Sequence, residues 1–275
     1  MTDMKVLIGG DMQLPYHDKR ALTLFLKVMK KIKWDQVILT GDVVDFPEYG
    51  RWEEGGTGEF LNQLPPAPDL TADGALAKVF ENASDGKKFY EDVREAAGND
   101  AYIFSALGNH DDRIWKYFDK KMPELLEHIT PESLWRFKSL GIDYIHYNDR
   151  PQHMWGGVHV HHGNSVSKHA GESVRNDMES FGVSLIRGHS HRAAYVHKTY
   201  PLRNEIIEGW EAGHMMDIHC AGASYDNVHN WRQAFLVARV ESGVSFTVDG
   251  YYPHIQIIPI TPDYTCMIDG VKFSA

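Results

Sequence analysis

The stretch KVLIGGD (residues 5–11) decides how the rest of the chain is interpreted, because an apolar run passes through two glycines directly into an aspartate. One aspartate after one predicted strand is a weak signal. The same pattern, however, recurs along the chain, with a short apolar run ending in a loop that carries Asp, Asn or His. The repeats are QVILTGDVVD (36–45), AYIFSALGNHD (101–111), VSLIRGHSH (183–191) and, with weaker apolar content, GGVHVHHGN (156–164). We interpret each as a strand followed by a polar loop.

Helical patterns separate these strands, with apolar residues at helical spacing over 18–32, 75–97 and 169–181. The second of these segments reads as one or two helices, with Gly86 as the expected break. Strands alternating with helices predict an α/β fold with largely parallel central strands. Since ligands bind at the carboxyl ends of such strands, the polar loops are expected to meet at one edge of the sheet. After residue 191 the pattern becomes rich in strands and predicts a second sheet packed on the first.

Composition restricts the function classes. The chain has 275 residues, is 43% hydrophobic and 24% charged, and carries a formal net charge of −10. This acidity argues against binding nucleic acid over the whole surface, although it leaves room for a local basic site. No apolar run approaches the roughly 18 residues that span a bilayer, and the N-terminus does not resemble a signal peptide. We therefore expect a cytoplasmic protein with no membrane partner, whose two cysteines are reduced thiols.

The residues at the strand ends suggest metal chemistry. Seven of them are carboxylates, amides or imidazoles, and none is a thiolate: Asp11, Gln13, Asp42, Asn109, His162, His189 and His191. Oxygen and imidazole ligands suit Mn, Fe, Zn, Ni or similar divalent ions. Two such ions about 3.5–4 Å apart can assist both sides of an in-line displacement at phosphorus.

The motifs GDMQ, GDVVD, GNHD, HHG and GHSH, in this order, resemble those of the calcineurin-like metallophosphoesterases. The family pattern is D-x-H, G-D-x-x-D, G-N-H-D/E, a later His before Gly, and G-H-x-H. The matched motifs span residues 11–191, about two thirds of the chain. The resemblance implies a four-layer αββα sandwich, in which two mixed central sheets are flanked by helices. It also implies a single domain over 1–275, with a long loop at 46–73 near the site and mainly second-sheet strands over 192–275.

The resemblance assigns a role to each matched residue. Asp11 and His191 would bind one metal ion, with Gln13 at the position of the family's first-motif His. Asp42 would bridge two ions, and Asn109, His162 and His189 would complete the second site. A bridging hydroxide would attack phosphorus while the catalytic His110 assists the leaving-group oxygen. Asp45 would orient His110 by a hydrogen bond.

Two departures from the family pattern bear on function. Gln13 replaces a His, which either weakens the first site and favours Mn or Fe over Zn, or removes this side chain from the metal. Phe46 stands where the serine/threonine phosphatase branch of the family carries a phosphate-gripping Arg. Arg113 and Arg192, which follow GNHDD and GHSH, are the candidate substitutes for substrate binding.

Some alternatives stay open at this stage. His161 competes with His162 as the ligand, although the following Gly favours His162. The leading function is a dinuclear-metal phosphoesterase acting on a phosphodiester, with a nucleotide or nucleic acid as substrate. The alternatives are a phosphomonoesterase or protein phosphatase, and a non-catalytic metal-binding scaffold. The sequence does not indicate an oligomeric state.

Overall fold

The computed structural model describes residues 3–49, 72–220, 230–244, 247 and 249–275. Its strands are β1 (Met4–Gly9), β2 (Gln36–Leu39), β3 (Tyr102–Ala106), β4 (Ile142–Ile145), β5 (Gln152–Trp155), β6 (Val158–Val160), β7 (Ser184–Arg187), β8 (Ala193–Tyr200), β9 (Glu205–Ala212), β10 (Ala234–Ser242), β11 (Tyr251–Pro259), β12 (Thr265–Ile268) and β13 (Val271–Ser274). Its α-helices are α1 (Lys19–Lys31), α2 (Ala72–Asn82), α3 (Ser84–Ala97), α4 (Arg113–Lys121), α5 (Pro131–Trp135), α6 (Phe137–Leu140) and α7 (Glu172–Phe181). Short 3-10 helices cover Pro47–Tyr49, Pro123–His128 and Pro201–Arg203.

Two mixed sheets form the centre of the molecule. The first has the strand order β11-β10-β1-β2-β3-β4, and the second has the order β5-β6-β7-β9-β8. β1 to β4 run parallel, as the alternation of strands and helices predicts. β10 runs antiparallel to β1, and β11 runs antiparallel to β10. In the second sheet β6, β7 and β9 are parallel. The polar loops after β1, β2 and β3 therefore leave one edge of the first sheet.

The alternation of side chains along β1 sorts the core into layers. Val6 and Ile8 face the second sheet and pack in one cluster with Ile186 and Trp210. Leu7 points to the other side, where α1 and α3 contribute Phe25, Tyr90 and other buried side chains to a larger cluster. Successive residues of a strand point to opposite faces, so one strand serves both layers.

Helix α7 covers the outer face of the second sheet, where Met178 packs against Leu185 and Ile207. Helices therefore lie on both outer faces of the paired sheets. This arrangement is the four-layer αββα fold predicted from the sequence, and that prediction is confirmed.

The expected contribution of residues 192–275 was wrong in one respect. Only β8 and β9 join the second sheet, whereas β10 and β11 extend the first. β10 pairs antiparallel with β1, from Met4 opposite Val240 to Ile8 opposite Leu236. The physical reason is that β2 occupies only one edge of β1. The free edge accepts a strand such as β10, whose residues are apolar on both faces.

The segment 75–97 forms two helices, but the chain breaks at Ala83 rather than at Gly86. Gly86 lies inside α3, where a Cβ atom would stand 2.4 Å from Val44 Cγ2 and 2.8 Å from Trp135 Nε1. The glycine therefore allows close packing instead of ending a helix. The predicted loop at 46–73 lies mostly outside the described residues, and its described ends belong to a 3-10 helix and to α2. The interpretation as one domain stays a prediction.

None of the described helices is long and apolar enough to cross a membrane.

Candidate metal centre

The polar loops meet at one edge of the sandwich, with the buried carboxylate of Asp42 at the centre. Asp42 follows β2, and its Oδ1 accepts the backbone N–H of His110 at 2.8 Å. Its Oδ2 lies 3.0 Å from Gln13 Nε2 and 3.2 Å from His162 Nε2. Burial alone would raise the pKa of Asp42, but the imidazoles of His162 and His110 hold it well below its usual range. The carboxylate is therefore charged and joins the loops after β1, β3 and β6.

Three candidate ligand atoms surround the Nε2 atom of His162. Its Nε2 lies 3.0 Å from Asn109 Oδ1, 3.2 Å from His189 Nδ1 and 3.2 Å from Asp42 Oδ2. The other ring nitrogen, Nδ1, lies 2.7 Å from the carbonyl oxygen of Thr40. Nδ1 therefore carries a proton and donates it, which leaves the Nε2 lone pair to a metal ion in the neutral ring. Asp42, His162 and His189 offer ligand atoms within 4.8 Å of one another and form a candidate metal site.

Electrostatics favour a positive charge at this point. Burial works against protonation of His162, but the carboxylates of Asp42 and Asp11 outweigh it and raise the His162 pKa to about 9. Burial and the neighbouring His162 lower the pKa of His189 well below its usual value. One cation, a proton or a metal ion, is thus stabilised among these side chains, and His189 stays neutral and able to ligate.

The predicted first site lies beside Asp42. Asp11 is fully buried, its carboxylate accepts the backbone N–H of His189 at 2.9 Å, and Oδ1 lies 3.3 Å from His191 Nε2. Gln13 Nε2 lies between Asp42 Oδ2 at 3.0 Å and His191 Nε2 at 3.4 Å. Gln13 Oε1 and His191 Nδ1 are buried and have no hydrogen-bond partner among the described residues. Exchanging the two ends of the Gln13 amide would turn its oxygen toward Asp42 and His191.

These observations fit a divalent metal. Oxygen and imidazole lone pairs face one another at short range, and a cation would relieve their repulsion. With its amide ends exchanged, Gln13 would offer such an ion the oxygen that has no partner among the described residues. Asp11, Gln13 and His191 lie on one side of Asp42, and Asn109, His162 and His189 lie on the other.

The backbone around the site is held in unusual conformations. Five of the seven candidate ligands have positive φ: Asp11 (52°), Gln13 (56°), Asp42 (51°), His189 (68°) and His191 (57°). Such strain in non-glycine residues is typical of functional sites.

Two motif glycines hold the loops against the carboxylates. A Cβ at Gly108 would lie 2.1 Å from Asp42 Oδ1, and a Cβ at Gly188 would lie 2.2 Å from Asp11 Oδ2. No residue with a side chain fits at either position without displacing a candidate ligand.

His110 and Asp45 form a pair at the rim of the site. His110 Nδ1 hydrogen-bonds Asp45 Oδ1, and His110 Nε2 lies 3.8 Å from Asp42 Oδ2. Burial would raise the pKa of Asp45, but the charges of His110 and Arg113 lower it. Asp45 is thus a carboxylate that accepts the Nδ1 proton, which leaves Nε2 on the side of Asp42.

The two arginines predicted to bind substrate are placed differently. Arg113 Nη1 donates to the Asp45 carbonyl oxygen at 2.7 Å, and Nη2 lies 3.3 Å from His110 Nε2. Arg192 is buried and donates from Nη1 to the Ser190 carbonyl oxygen at 3.1 Å. Their roles stay predictions, and Arg113 is the better placed because it reaches the cleft-facing imidazole.

His161, the rival of His162, points away from the cluster. Its Nδ1 accepts the backbone N–H of Gly163 at 2.9 Å, and its Nε2 lies 3.1 Å from the Tyr147 carbonyl oxygen. Phe46, at the position of the missing phosphate-gripping Arg, is buried against Tyr49 and Trp135. Neither residue takes part in the site.

Sequence reasoning missed two contributors. The Thr40 carbonyl fixes which ring nitrogen of His162 carries the proton. A backbone acceptor of this kind leaves no side-chain motif in the sequence. His214 is buried and stacks on His191, with ring centroids 5.3 Å apart and an interplanar angle of 29°. It lies in the strand-rich part of the chain that has no motif. The signal that could have located His214 is its position in the sequence, two residues after the end of β9.

Asp111, the residue after His110, ties two of the loops together. Its buried carboxylate accepts the backbone N–H of Val44 and of Gly108, both at 2.9 Å. Burial, together with the charge of Asp42, raises the pKa of Asp111 to about 7.

Fold and site together define an α/β sandwich with a candidate metal centre. No family model matches the chain. It is similar to the Gene 54 protein of Mycobacterium phage L5, with 25% identity, and to that of Mycobacterium phage D29, with 26%. Both alignments run over 262 residues and cover 93% of this chain and 93% of the relative. Neither name states an activity.

Among solved structures, Vps29 of Chaetomium thermophilum is 12% identical, with a TM-score of 0.46 and coverage of 98% of each chain. Vps29 of Entamoeba histolytica, solved as a zinc complex, is 16% identical, with a TM-score of 0.42. That match covers 98% of this chain and 96% of the other. Similarity at this level carries no statement about the activity or the metal of this protein.

Proposed function

We propose that the protein is a divalent-metal-dependent phosphoester hydrolase of the calcineurin-like metallophosphoesterase type. The observation that carries this proposal is the placement of the His110–Asp45 pair beside Asp42, within the cluster of candidate ligands. A scaffold that only held metal would need the ligands but not a histidine held by a carboxylate at the open rim.

Each residue of the candidate site would have a separate role in this reaction. Asp11, Gln13, Asp42, Asn109, His162, His189 and His191 would hold two ions, with Mn favoured because amide and carboxylate oxygens are hard ligands. Bound divalent ions lower the pKa of water and withdraw charge from phosphoryl oxygens. Asp45 accepts the Nδ1 proton of His110, so a second proton on Nε2 can pass to the leaving-group oxygen. Arg113 Nη2 lies 3.3 Å from the same nitrogen and would turn from it toward a phosphoryl oxygen when Nε2 carries that proton.

We favour a phosphodiester, in a nucleotide or a nucleic acid, over a phosphomonoester. A phosphomonoester is a dianion and gains most from a dedicated cationic clamp. Phe46 is buried in an aromatic cluster and offers none, and Arg192 is turned onto its own loop. Arg113 alone suits the single charge of a diester better.

The test is a comparison of hydrolysis and metal content in the same samples. Protein stripped with EDTA and reloaded with Mn should hydrolyse bis(p-nitrophenyl) phosphate faster than p-nitrophenyl phosphate. His110→Ala should keep its metal and lose a factor of roughly 10²–10⁴ in kcat, the scale of a positioned acid. Asp42→Asn should lose both metal and activity. Wild-type protein that binds two ions per chain and turns over neither ester would overturn the proposal and favour the scaffold.

A further inference from the structure

A basic pocket lies away from the candidate metal centre. It is a shallow depression of about 650 Å³, and six cationic side chains line it: Lys5, Lys27, Lys31, Lys33, Lys272 and Arg239. Asp269 is the acidic residue in this lining and pairs with Arg239. The remaining basic residues are the five lysines, and none forms an ion pair with a carboxylate among the described residues. Lys27 Nζ donates to the Ser274 carbonyl oxygen at 2.8 Å. This concentration of positive charge occurs in a chain whose net charge is −10.

The fold itself does not require this clustering. Lys31 lies in the last turn of α1, where the helix dipole favours a cation. That explanation does not extend to Lys5 on β1, Arg239 on β10 or Lys272 on β13. Cations from several separate elements converge, and their mutual repulsion opposes folding unless an anion offsets it.

The basic pocket is a different site from the metal centre. Lys5 lies near the start of β1, whereas Asp11 lies just past its end. Six residues of extended strand place them about 20 Å apart, at opposite ends of the sheet. The pocket therefore does not supply ligands to the metal or contacts to a group that reacts there.

Apolar residues, including one aromatic ring, also line the pocket. They are Ile32, Ile268, Val271 and Phe273. Phe273 is half-buried, and Val271 is 56% exposed although it is apolar. A lining that combines cations with apolar side chains suits a ligand with both phosphates and flat apolar faces.

We propose that the basic pocket binds single-stranded nucleic acid, with phosphates on the lysines and a base or sugar against the apolar part of the lining. Proteins that bind single strands combine a positive groove with an aromatic surface in this way. An acidic peptide would match the charge but would leave Phe273 without a flat apolar partner. The proposal goes beyond the proposed hydrolase activity and needs neither metal nor catalysis.

The experiment measures binding of fluorescein-labelled 20-nucleotide oligo(dT) and oligo(U) to the full chain in EDTA, where metal-dependent hydrolysis cannot interfere. The test variant is Lys31→Glu combined with Lys272→Glu. The control is Lys87→Glu combined with Lys138→Glu, which makes the same change of net charge at exposed lysines outside the pocket. Circular dichroism checks that both variants fold, and Lys272→Gln provides a milder second variant.

We expect the test variant to bind the oligonucleotides about tenfold or more weakly, and the control within about twofold of wild type. Each phosphate contact contributes about −0.7 to the slope of log K against log salt for single strands. The slope of the test variant should thus be shallower by about 1–2.

Several outcomes would overturn the proposal. One is equal affinity of wild type, test variant and control. Another is displacement of the oligonucleotide by polyglutamate at equal charge concentration, which would indicate an acidic protein partner. Duplex DNA binding as tightly as the single strand would also refute it. Loss of hydrolase activity has no bearing on these measurements, so the two proposals fail independently.

Discussion

Single atoms decide what the candidate centre can bind. Because the Thr40 carbonyl accepts the proton of His162 Nδ1 at 2.7 Å, the Nε2 lone pair faces Asp42, Asn109 and His189. A histidine whose Nδ1 had no such acceptor could rotate or change tautomer and would be a poorer ligand. On the other side of Asp42 the outcome depends on Gln13, whose buried Oε1 has no hydrogen-bond partner among the described residues.

The prediction for Gln13 is a gain of function in metal binding. Gln13→His should tighten binding at the first site by about tenfold or more, since a neutral imidazole is a better ligand than an amide. Gln13→Ala should weaken the same site and leave the second site, with His162 and His189, unaffected. Titration with Co²⁺, followed by absorbance and calorimetry, separates the two sites. Identical titration curves for wild type and both variants would place Gln13 outside the coordination sphere.

At the scale of elements, the site depends on helices that never touch the metal. Helix α3 packs against the loop after β2 through Gly86, which lies against Val44, the residue before Asp45. Helix α1 begins at the N-cap Asp18, whose carboxylate accepts the backbone N–H of Arg20 and Ala21. Both contacts support loops that carry candidate ligands or the His110–Asp45 pair.

Gly86→Ala is expected to destabilise the protein although alanine is the better helix former. The added Cβ would lie 2.4 Å from Val44 Cγ2, so the helix or the loop must move. Overpacking of this kind costs about 1–3 kcal/mol, more than the helix propensity returns. Urea unfolding measures the difference, and Ser84→Ala at an exposed position of α3 is the matched control. A Gly86→Ala variant as stable as the control would show that this packing is not tight.

Asp18 gives a pH dependence with a definite sign. Partial burial would raise its pKa, but hydrogen bonds from Gln233, Tyr264 and the helix N-terminus lower it. A carboxyl whose folded pKa is lowered stabilises the protein above its unfolded pKa of about 4, and this stabilisation is lost as the pH falls through the folded value. Asp18→Ala should thus cost about 1–2 kcal/mol at pH 7.

The cost of Asp18→Ala should shrink below pH 4, and urea unfolding between pH 7 and pH 3 measures it. Asp18→Asn keeps a side-chain acceptor for the cap and should retain part of the stability at pH 7. A difference in unfolding free energy between wild type and Asp18→Ala that stays constant down to pH 3 would contradict this prediction.

The same elements show how far the sequence was informative. Local patterns predict β1, β2, β3 and β7 and the convergence of their loops, because parallel strands deliver their carboxyl ends to one edge. They do not place β10 beside β1, since pairing across more than two hundred residues of sequence leaves no local mark. Gly86 was misread for the same reason, because its partner Trp135 comes from a distant helix. Thr40 acts through its backbone, which no motif of side chains reveals.

Over the whole molecule, two concentrations of opposite charge are separated along the first sheet. The buried carboxylates of Asp11 and Asp42 lie at one end, in the candidate metal centre, and five lysines line the basic pocket at the other end. Without a bound metal, a proton on His162 is the cation among these buried carboxylates, and a divalent ion would offset more of their charge. Removal of a bound metal should therefore destabilise the entire fold, and its effect should appear in global unfolding.

We expect Mn²⁺ to raise the unfolding temperature of protein stripped with EDTA. A ligand that binds the folded state alone at 100 times its Kd adds about 2.7 kcal/mol. For a chain of this size that corresponds to a shift of about 5–10 °C. Differential scanning calorimetry against Mn²⁺ concentration measures it, with Asp42→Asn as the variant that should show almost no shift. Lys31→Glu with Lys272→Glu, altered only in the basic pocket, should shift like wild type. If Asp42→Asn responded as strongly as wild type, the metal would bind elsewhere, because this carboxylate is the one group that both halves of the centre share.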